Sequence, residues 1–385
     1  MVKMMSAYTE EVDEPEAGVA EILAALDLGA LKRNSVGIAT CHSDFVASGF
    51  VAALQKSLPF DVVGMTTMTS ANALGMGMYS FSLTVLTSDE LSFEAALSGP
   101  LDRGGYAGQI ASAYSGAEEK LGGRPAFAIA LFPLLMDLGV WLLHKGLCAA
   151  CGGVPVWGGT ATHTDAGYDN CRTFVGGDSG ADRLAMVLVR GPVEPEFVVV
   201  SLPMQNIDDN RGMVTRSEGY LLREINGVPA RRYFETLGLT IMDDVPMAMP
   251  LMLYHEGTSE PVALSIYSAN DDGSLCCGDE IPEGASVSIG EITAEGVVAS
   301  AREAMDRVLA CGKRGGALIL PCASRFLMLE PNQLDEMRTV ASKLEGGAAM
   351  PFMGGYSGGE ICPMRDGGGA LRNRFHNFTF TACVL

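Results

Sequence analysis

One pattern occurs three times along the 385 residues and limits the folds open to this chain. A short apolar strand is followed by an amphipathic helix, and then by a second apolar strand that runs into glycine. The first copy has a strand at 36–40 and helical spacing of Val46, Phe50, Ala53, Leu54 and Leu58 before Pro59. Its second strand, 61–64, ends on Gly64. The second copy has a strand at 126–132, a helix through 146 and the run 154–159 ending Gly158-Gly159. The third has a strand at 317–321, a helix carrying Leu334, Met337, Val340 and Leu344, and the run 351–355 ending Gly354-Gly355. Each copy closes with an alternating strand, at 81–86, 184–189 and 378–384.

A helix period between two strand periods is the signature of a strand–helix–strand unit. Three such units predict a mixed α/β fold, with repeated strand-helix-strand-strand units in mixed or antiparallel sheets covered by helices. Residues 1–15 are polar and acidic and read as a loose lead-in. Between copies two and three, residues 249–290 alternate in short runs broken by turn signals, which reads as an antiparallel meander. The expected division is a lead-in and helix over 1–30, one domain over 31–225 and a second over 226–385.

Composition narrows the function. The chain has 46 acidic against 26 basic residues, a net charge of −20. Such a surface repels phosphate backbones and anionic lipid, so neither nucleic acid nor a membrane surface is an expected partner. No apolar run is long enough to span a bilayer, and the acidic start is unlike a signal peptide. The expected location is the cytoplasm, where the ten cysteines would be reduced core residues.

The last fifth of the chain concentrates the candidate chemistry. Glycines at 354, 355, 358 and 359 lead directly into Glu360. Glycine lets backbones approach closely or take positive φ. A carboxylate after such a tract would sit where exposed N–H groups converge. Arg325 follows the third copy's first strand through Cys322-Ala323-Ser324. An Arg325–Glu360 pair would hold both ends of an α-amino acid, or would bridge itself. Gly355, Tyr356 and Gly359 would line the same site. His376-Asn377 opens the final strand as a possible ligand contact or as a turn pair. Gly158-Gly159-Thr160, with His163 and Asp165, and Thr66-Thr67 are the matching loops of the earlier copies. Cys148-Ala149-Ala150-Cys151 has the spacing of a metal or redox pair but ends a helix and has no second ligand pair. No nucleophile elbow or phosphate loop occurs, so no residue is assigned a catalytic or metal-binding role.

At the level of motifs the chain resembles the FIST family, with a FIST N and a FIST C domain. Val36-Gly37-Ile38-Ala39-Thr40, Val62-Val63-Gly64 and Pro155-Val156-Trp157-Gly158-Gly159 resemble the first. Arg231-Arg232-Tyr233-Phe234, Ile281-Pro282-Glu283-Gly284, Cys322-Ala323-Ser324-Arg325, the tract from Gly355 to Glu360, and His376-Asn377 resemble the second. The resemblance implies a sensory module for a small ligand such as an amino acid, with output through a separate signalling partner and a possible homo-oligomer. It also admits a haem-based nitric oxide sensor using His376. A third reading is an enzyme using Cys322, Glu360 and His376.

Overall fold

A computed structural model of the protein describes residues 2–135, 138–164, 169–239, 249–255, 260–345 and 350–385. The first unit runs β1 (Lys3–Thr9), α1 (Pro15–Ala25), β2 (Asn34–Cys41), α2 (Ser43–Ala47), α3 (Phe50–Ser57), β3 (Val62–Thr66), a hairpin of β4 (Ser70–Asn72) and β5 (Gly75–Gly77), and β6 (Phe81–Ser88). The second repeats that order: β7 (Ser92–Leu97), α4 (Tyr106–Leu121), β8 (Phe127–Phe132), α5 (Val140–Cys151), β9 (Val156–Thr160), the hairpin β10 (Thr173–Val175) and β11 (Asp178–Gly180), and β12 (Ala185–Arg190). The third opens with β13 (Glu196–Val200) and is then interrupted.

The interruption is a meander: β14 (Gly212–Glu218), β15 (Leu221–Ile225), β16 (Val228–Pro229), α6 (Ala230–Thr236), β17 (Leu251–Tyr254), β18 (Val262–Leu264), β19 (Ile266–Ala269), β20 (Leu275–Cys277) and β21 (Ser286–Ile289). The third unit then resumes with α7 (Ala294–Ala310), β22 (Ala317–Pro321), α8 (Ala323–Met328), α9 (Asp335–Glu345), β23 (Phe352–Gly355), the hairpin β24 (Glu360–Arg365) and β25 (Leu371–His376), and β26 (Phe380–Val384).

Each unit builds a sheet with one parallel pair, β2 with β3, β8 with β9 and β22 with β23. The closing strand of each unit pairs antiparallel on the other side of its first strand. The hairpins do not stay at home. β4–β5 joins the third sheet through β23, β10–β11 joins the first through β3, and β24–β25 joins the second through β9. The three sheets are thus laced in a ring. One face of each contributes to a shared central core that includes Ile38, Val63, Ile129, Trp157, Leu318 and Met353. The opposite faces are covered by α1–α3, α4–α5 and α7–α9, each with its own apolar cluster. Strands buried on both faces explain the near-continuous apolar runs. The meander has a separate core around Leu222, Phe234, Leu253 and Leu275.

Three local expectations are corrected. Residues 3–9 are no loose lead-in but an edge strand, with seven residues paired to β6. The helix expected from Val46 to Leu58 is broken because Gly49 takes φ +82°. The last strand starts at Phe380 rather than 378, because Phe378 itself has φ +58°.

Candidate functional site

The glycine junctions meet around the ring, and there is no open cradle among them. Thr162 donates its N–H to the Thr66 carbonyl (3.0 Å), and Gly358 donates to that of Thr160 (2.9 Å). Thr66, Thr160 and Gly355 are fully or almost fully buried. A Cβ at Gly158 would lie 1.8 Å from the Ala130 carbonyl oxygen, and one at Gly159 2.7 Å from Ser357 Cβ. Gly355 packs beside Thr40 and Thr67, and Gly359 has φ +144°. These glycines are therefore spent on close backbone approach. Gly158→Ala is expected to destabilise the fold by roughly 3 kcal/mol, because the clash is with backbone that cannot move aside. A chemical-denaturation midpoint equal to wild type would refute this. His163 Nε2 bonds Ser43 Oγ at 2.7 Å, and Asp165 lies outside the described residues.

Arg325 does not pair with Glu360. It is wholly buried beside Glu336, the first-turn acid of α9, with Nε and Nη2 donating to Oε1 at 2.9 and 2.5 Å. Its remaining donors go to the carbonyls of Ser201, Phe378 and Val297 and to Ser300 Oγ. A guanidinium used on every side has nothing left for a ligand carboxylate. Tyr356 is corrected as well: its ring turns outward against Phe326, with centroids 5.1 Å apart, into the cluster under α7–α9. Just past the end of β23, Tyr356 packs into this cluster while the next residue, Ser357, bonds Glu360.

Glu360 is also completely buried, in a different setting. Ser357 Oγ donates to Oε1 at 2.6 Å and Thr379 Oγ1 to Oε2 at 2.9 Å. Burial raises its pKa to about 8, only partly offset by the two hydroxyls and the Arg325 charge. Arg325 acts on this site indirectly, because the Phe378 carbonyl it grips belongs to the left-handed turn that sets Thr379. A bulky residue at positive φ is strained and is held only where its surroundings insist. Cys322 neighbours this group. Its thiol is pushed up to about 12 by burial first and the Glu360 charge second.

His376 and Asn377 serve internal bonds. His376 Nε2 lies 3.1 Å from the Cys362 carbonyl oxygen, and burial lowers its pKa to about 4. Asn377 Oδ1 accepts from the Ser265 N–H at 3.0 Å, and its own N–H donates to Ala263. This residue ties the last strand turn to the meander.

Open space lies next to that tie. A cleft of about 720 Å³ separates the segment after β8 from the meander. Leu134, Leu138 and Trp141 line one wall, with Tyr106 and Arg103 beside them, and Tyr220, Tyr267 and Cys277 line the other. Trp141 and Tyr220 touch where the two walls meet, with ring centroids 5.2 Å apart. Gly139, at φ +32°, leaves room for the Trp141 ring, which a Cβ there would meet at 2.8 Å. Tyr267 is 58% exposed because it looks into this concavity. Protein still surrounds its hydroxyl enough to raise the phenol to about 12, with Cys322 and Glu360 among the charges it feels. A second groove of about 650 Å³, beside β13 and the β24–β25 hairpin, is edged by charges that already pair, Arg307 with Glu260 and Arg372 with Asp366.

The sequence reading missed the cleft. Its walls come from residues 103–142, 220 and 267–278, which no spacing rule links. The one available signal was local: Leu134, Leu135, Leu138 and Trp141 form an apolar stretch too irregular for a strand.

The chain matches the model of the FIST N domain over residues 35–228 and that of the FIST C domain over residues 214–363. No curated protein matches it. Among solved structures, it is similar to the cyanuric acid hydrolase from A. caulinodans, at 11% identity and a TM-score of 0.41, covering 100% of this chain and 98% of that one. A second structure titled as cyanuric acid hydrolase has 10% identity and a TM-score of 0.31, over 76% of this chain and 99% of that one. T. maritima PurL complexed with ATP has 12% identity and a TM-score of 0.20, over 99% of this chain and 71% of that one. No functional statement rests on likeness at that level.

Proposed function

The chain belongs to the FIST family, and from that premise we propose that it is a sensory protein whose small-molecule ligand enters the cleft between Leu134, Leu138 and Trp141 on one side and the meander on the other. FIST domains are associated with sensory small-ligand binding. The observation that carries the reading is the aromatic-walled space of about 720 Å³, set between the part matching FIST N and the part matching FIST C. Ligand sites favour such boundaries, with apolar walls and few polar groups. Trp141, Tyr220 and Tyr267 suit a ligand with an apolar body, and the Tyr267 hydroxyl suits a polar end. An amino acid with a large side chain fits this class. Its carboxylate would be read at the cleft rim, since Arg325 is unavailable.

The signal passes to a separate partner, and the protein works in the cytoplasm. Among the described residues no helix is long and apolar enough to cross a membrane.

The two other readings find less support. The described lining of the cleft includes no histidine, and His376 Nε2 lies on the Cys362 carbonyl, so this cleft is not where the haem reading finds its support. For nucleophilic catalysis, a thiol raised to about 12 is protonated at neutral pH and a poor nucleophile.

Calorimetric titration with phenylalanine and leucine, with glutamate as a polar control, tests the proposal. Saturable binding of an apolar amino acid, weakened tenfold or more in Trp141→Ala, is the expected result. Equal binding by Trp141→Ala would move the ligand elsewhere.

A further inference from the structure

The end of α5 opposite the cleft carries a pair of thiols that the ligand site does not use. Cys148 and Cys151 are three residues apart on the helix. Helical geometry puts such Cα atoms about 5 Å apart, inside the range a disulfide spans. Cys148 is partly exposed and Cys151 buried, so a small oxidant meets the pair from one side.

The surroundings prepare the sulfurs for reaction. His144, one turn earlier, places Nε2 at 3.2 Å from Cys148 Sγ. Burial keeps this imidazole neutral, with a pKa near 3, so it can hold the Cys148 thiol by a hydrogen bond but leaves the proton on sulfur. Two left-handed glycines follow the helix, Gly152 at φ +55° and Gly153 at φ +84°. They fold the chain back so that the Val154 N–H donates to the Cys151 carbonyl at 3.1 Å, while the Cys151 thiol reaches the carbonyls of Cys148 and Val154 at 3.5 and 3.6 Å. Asn373 of β25 puts Nδ2 at 3.8 Å from the same sulfur. The negative end of a helix disfavours a thiolate. Here the neighbouring Cys148 thiol acts the other way and draws Cys151 down to about 7, while Cys148 is raised and keeps its proton. A partly deprotonated sulfur beside a protonated one is the arrangement of an attacking and a resolving cysteine. Zinc is a poorer reading, because no group of three or more suitable ligands occurs among the described residues.

We propose that Cys148 and Cys151 are a reversible redox pair, closed to a disulfide by a hydroperoxide. The Cys151 thiolate attacks one peroxide oxygen. An S–O bond forms, the O–O bond breaks, and the leaving hydroxide takes a proton to become water. Cys148 then attacks the sulfenic sulfur, forming the S–S bond and expelling the oxygen, which leaves as water with the Cys148 proton. Two thiols and one hydrogen peroxide give one disulfide and two waters. A dithiol reductant reverses the change. Because α5 runs from Trp141 to this pair, the oxidation state is a second input to the helix that walls the cleft.

The test is hydrogen peroxide treatment of the folded protein, alkylation of remaining thiols, and mass mapping of the tryptic peptide 146–172. This peptide also holds Cys171, which serves as an internal reference. The expected product is lighter by about 2 Da than the unalkylated peptide before the reference thiol is counted, regains both thiols with dithiothreitol, and is lost in Cys148→Ser and in Cys151→Ser. Alkylation of Cys148 and Cys151 unchanged by peroxide would overturn the proposal. So would irreversible oxidation of either, or a mass loss that persists in Cys148→Ser. Circular dichroism matching wild type verifies that the serine variants are folded.

Discussion

Arg325→Ala should destabilise the protein by about 3–5 kcal/mol, enough to unfold many domains of ordinary stability. The arginine is 0% exposed and meets Glu336, equally buried, at 2.5 Å. Removing it strands a carboxylate in the core and frees three backbone carbonyls from a donor, those of Ser201, Phe378 and Val297. The carbonyls belong to the segment after β13, to the strained turn before β26 and to α7, so the loss would loosen the third unit throughout. Lysine should not rescue it, since one ammonium cannot replace a planar fork. Replacing both partners with apolar residues, Arg325→Met with Glu336→Leu, should recover most of the loss, because a buried pair often adds little beyond what hydrophobic packing supplies. Urea unfolding of the three variants checks this. A single alanine variant within about 1 kcal/mol of wild type would mean that Arg325 is not the hub described.

Glu360→Gln should show the second large effect, one that grows as pH rises above about 4.5. The folded carboxyl titrates at about 8, against an ordinary value of 4.5. Below the lower value the group is protonated in both states, and the folded protein bears no penalty. Between the two values the unfolded chain releases its proton while the folded chain keeps it, so stability falls as pH rises. Above the higher value the loss is complete, on the order of 5 kcal/mol. A neutral glutamine avoids the loss and can still accept from Ser357 or Thr379. The variant should therefore match wild type near pH 4.5 and exceed it near pH 9. Parallel stability curves for the two proteins across that range would show that Glu360 titrates normally.

The repeat was legible because both periods that define it lie within a few residues. Val36 to Gly64, Phe127 to Gly159 and Ala317 to Gly355 each display strand, helix and strand in order. The exchange of hairpins was not legible. β4 and β10 are three residues long, and their partners lie in other units. A strand that short carries no pattern naming its neighbour. The sequence pairs Arg325 with Glu360 because one leaves a buried strand and the other follows the glycine tract after the next strand. The actual partner, Glu336, sits in a polar helix turn where an exposed acid is the ordinary expectation. Glycines read as openings proved to be contacts, because the same missing side chain serves either purpose. The cleft was hidden for a related reason: Trp141, Tyr220 and Tyr267 become neighbours only after the meander docks on the second unit.

Native mass spectrometry of the freshly purified protein tests most directly whether the cleft is where this chain holds its ligand. The account predicts a small molecule carried by the wild type, released chemically unchanged, and absent from a folded Trp141→Ala/Tyr220→Ala variant. A molecule retained equally by that variant would contradict it.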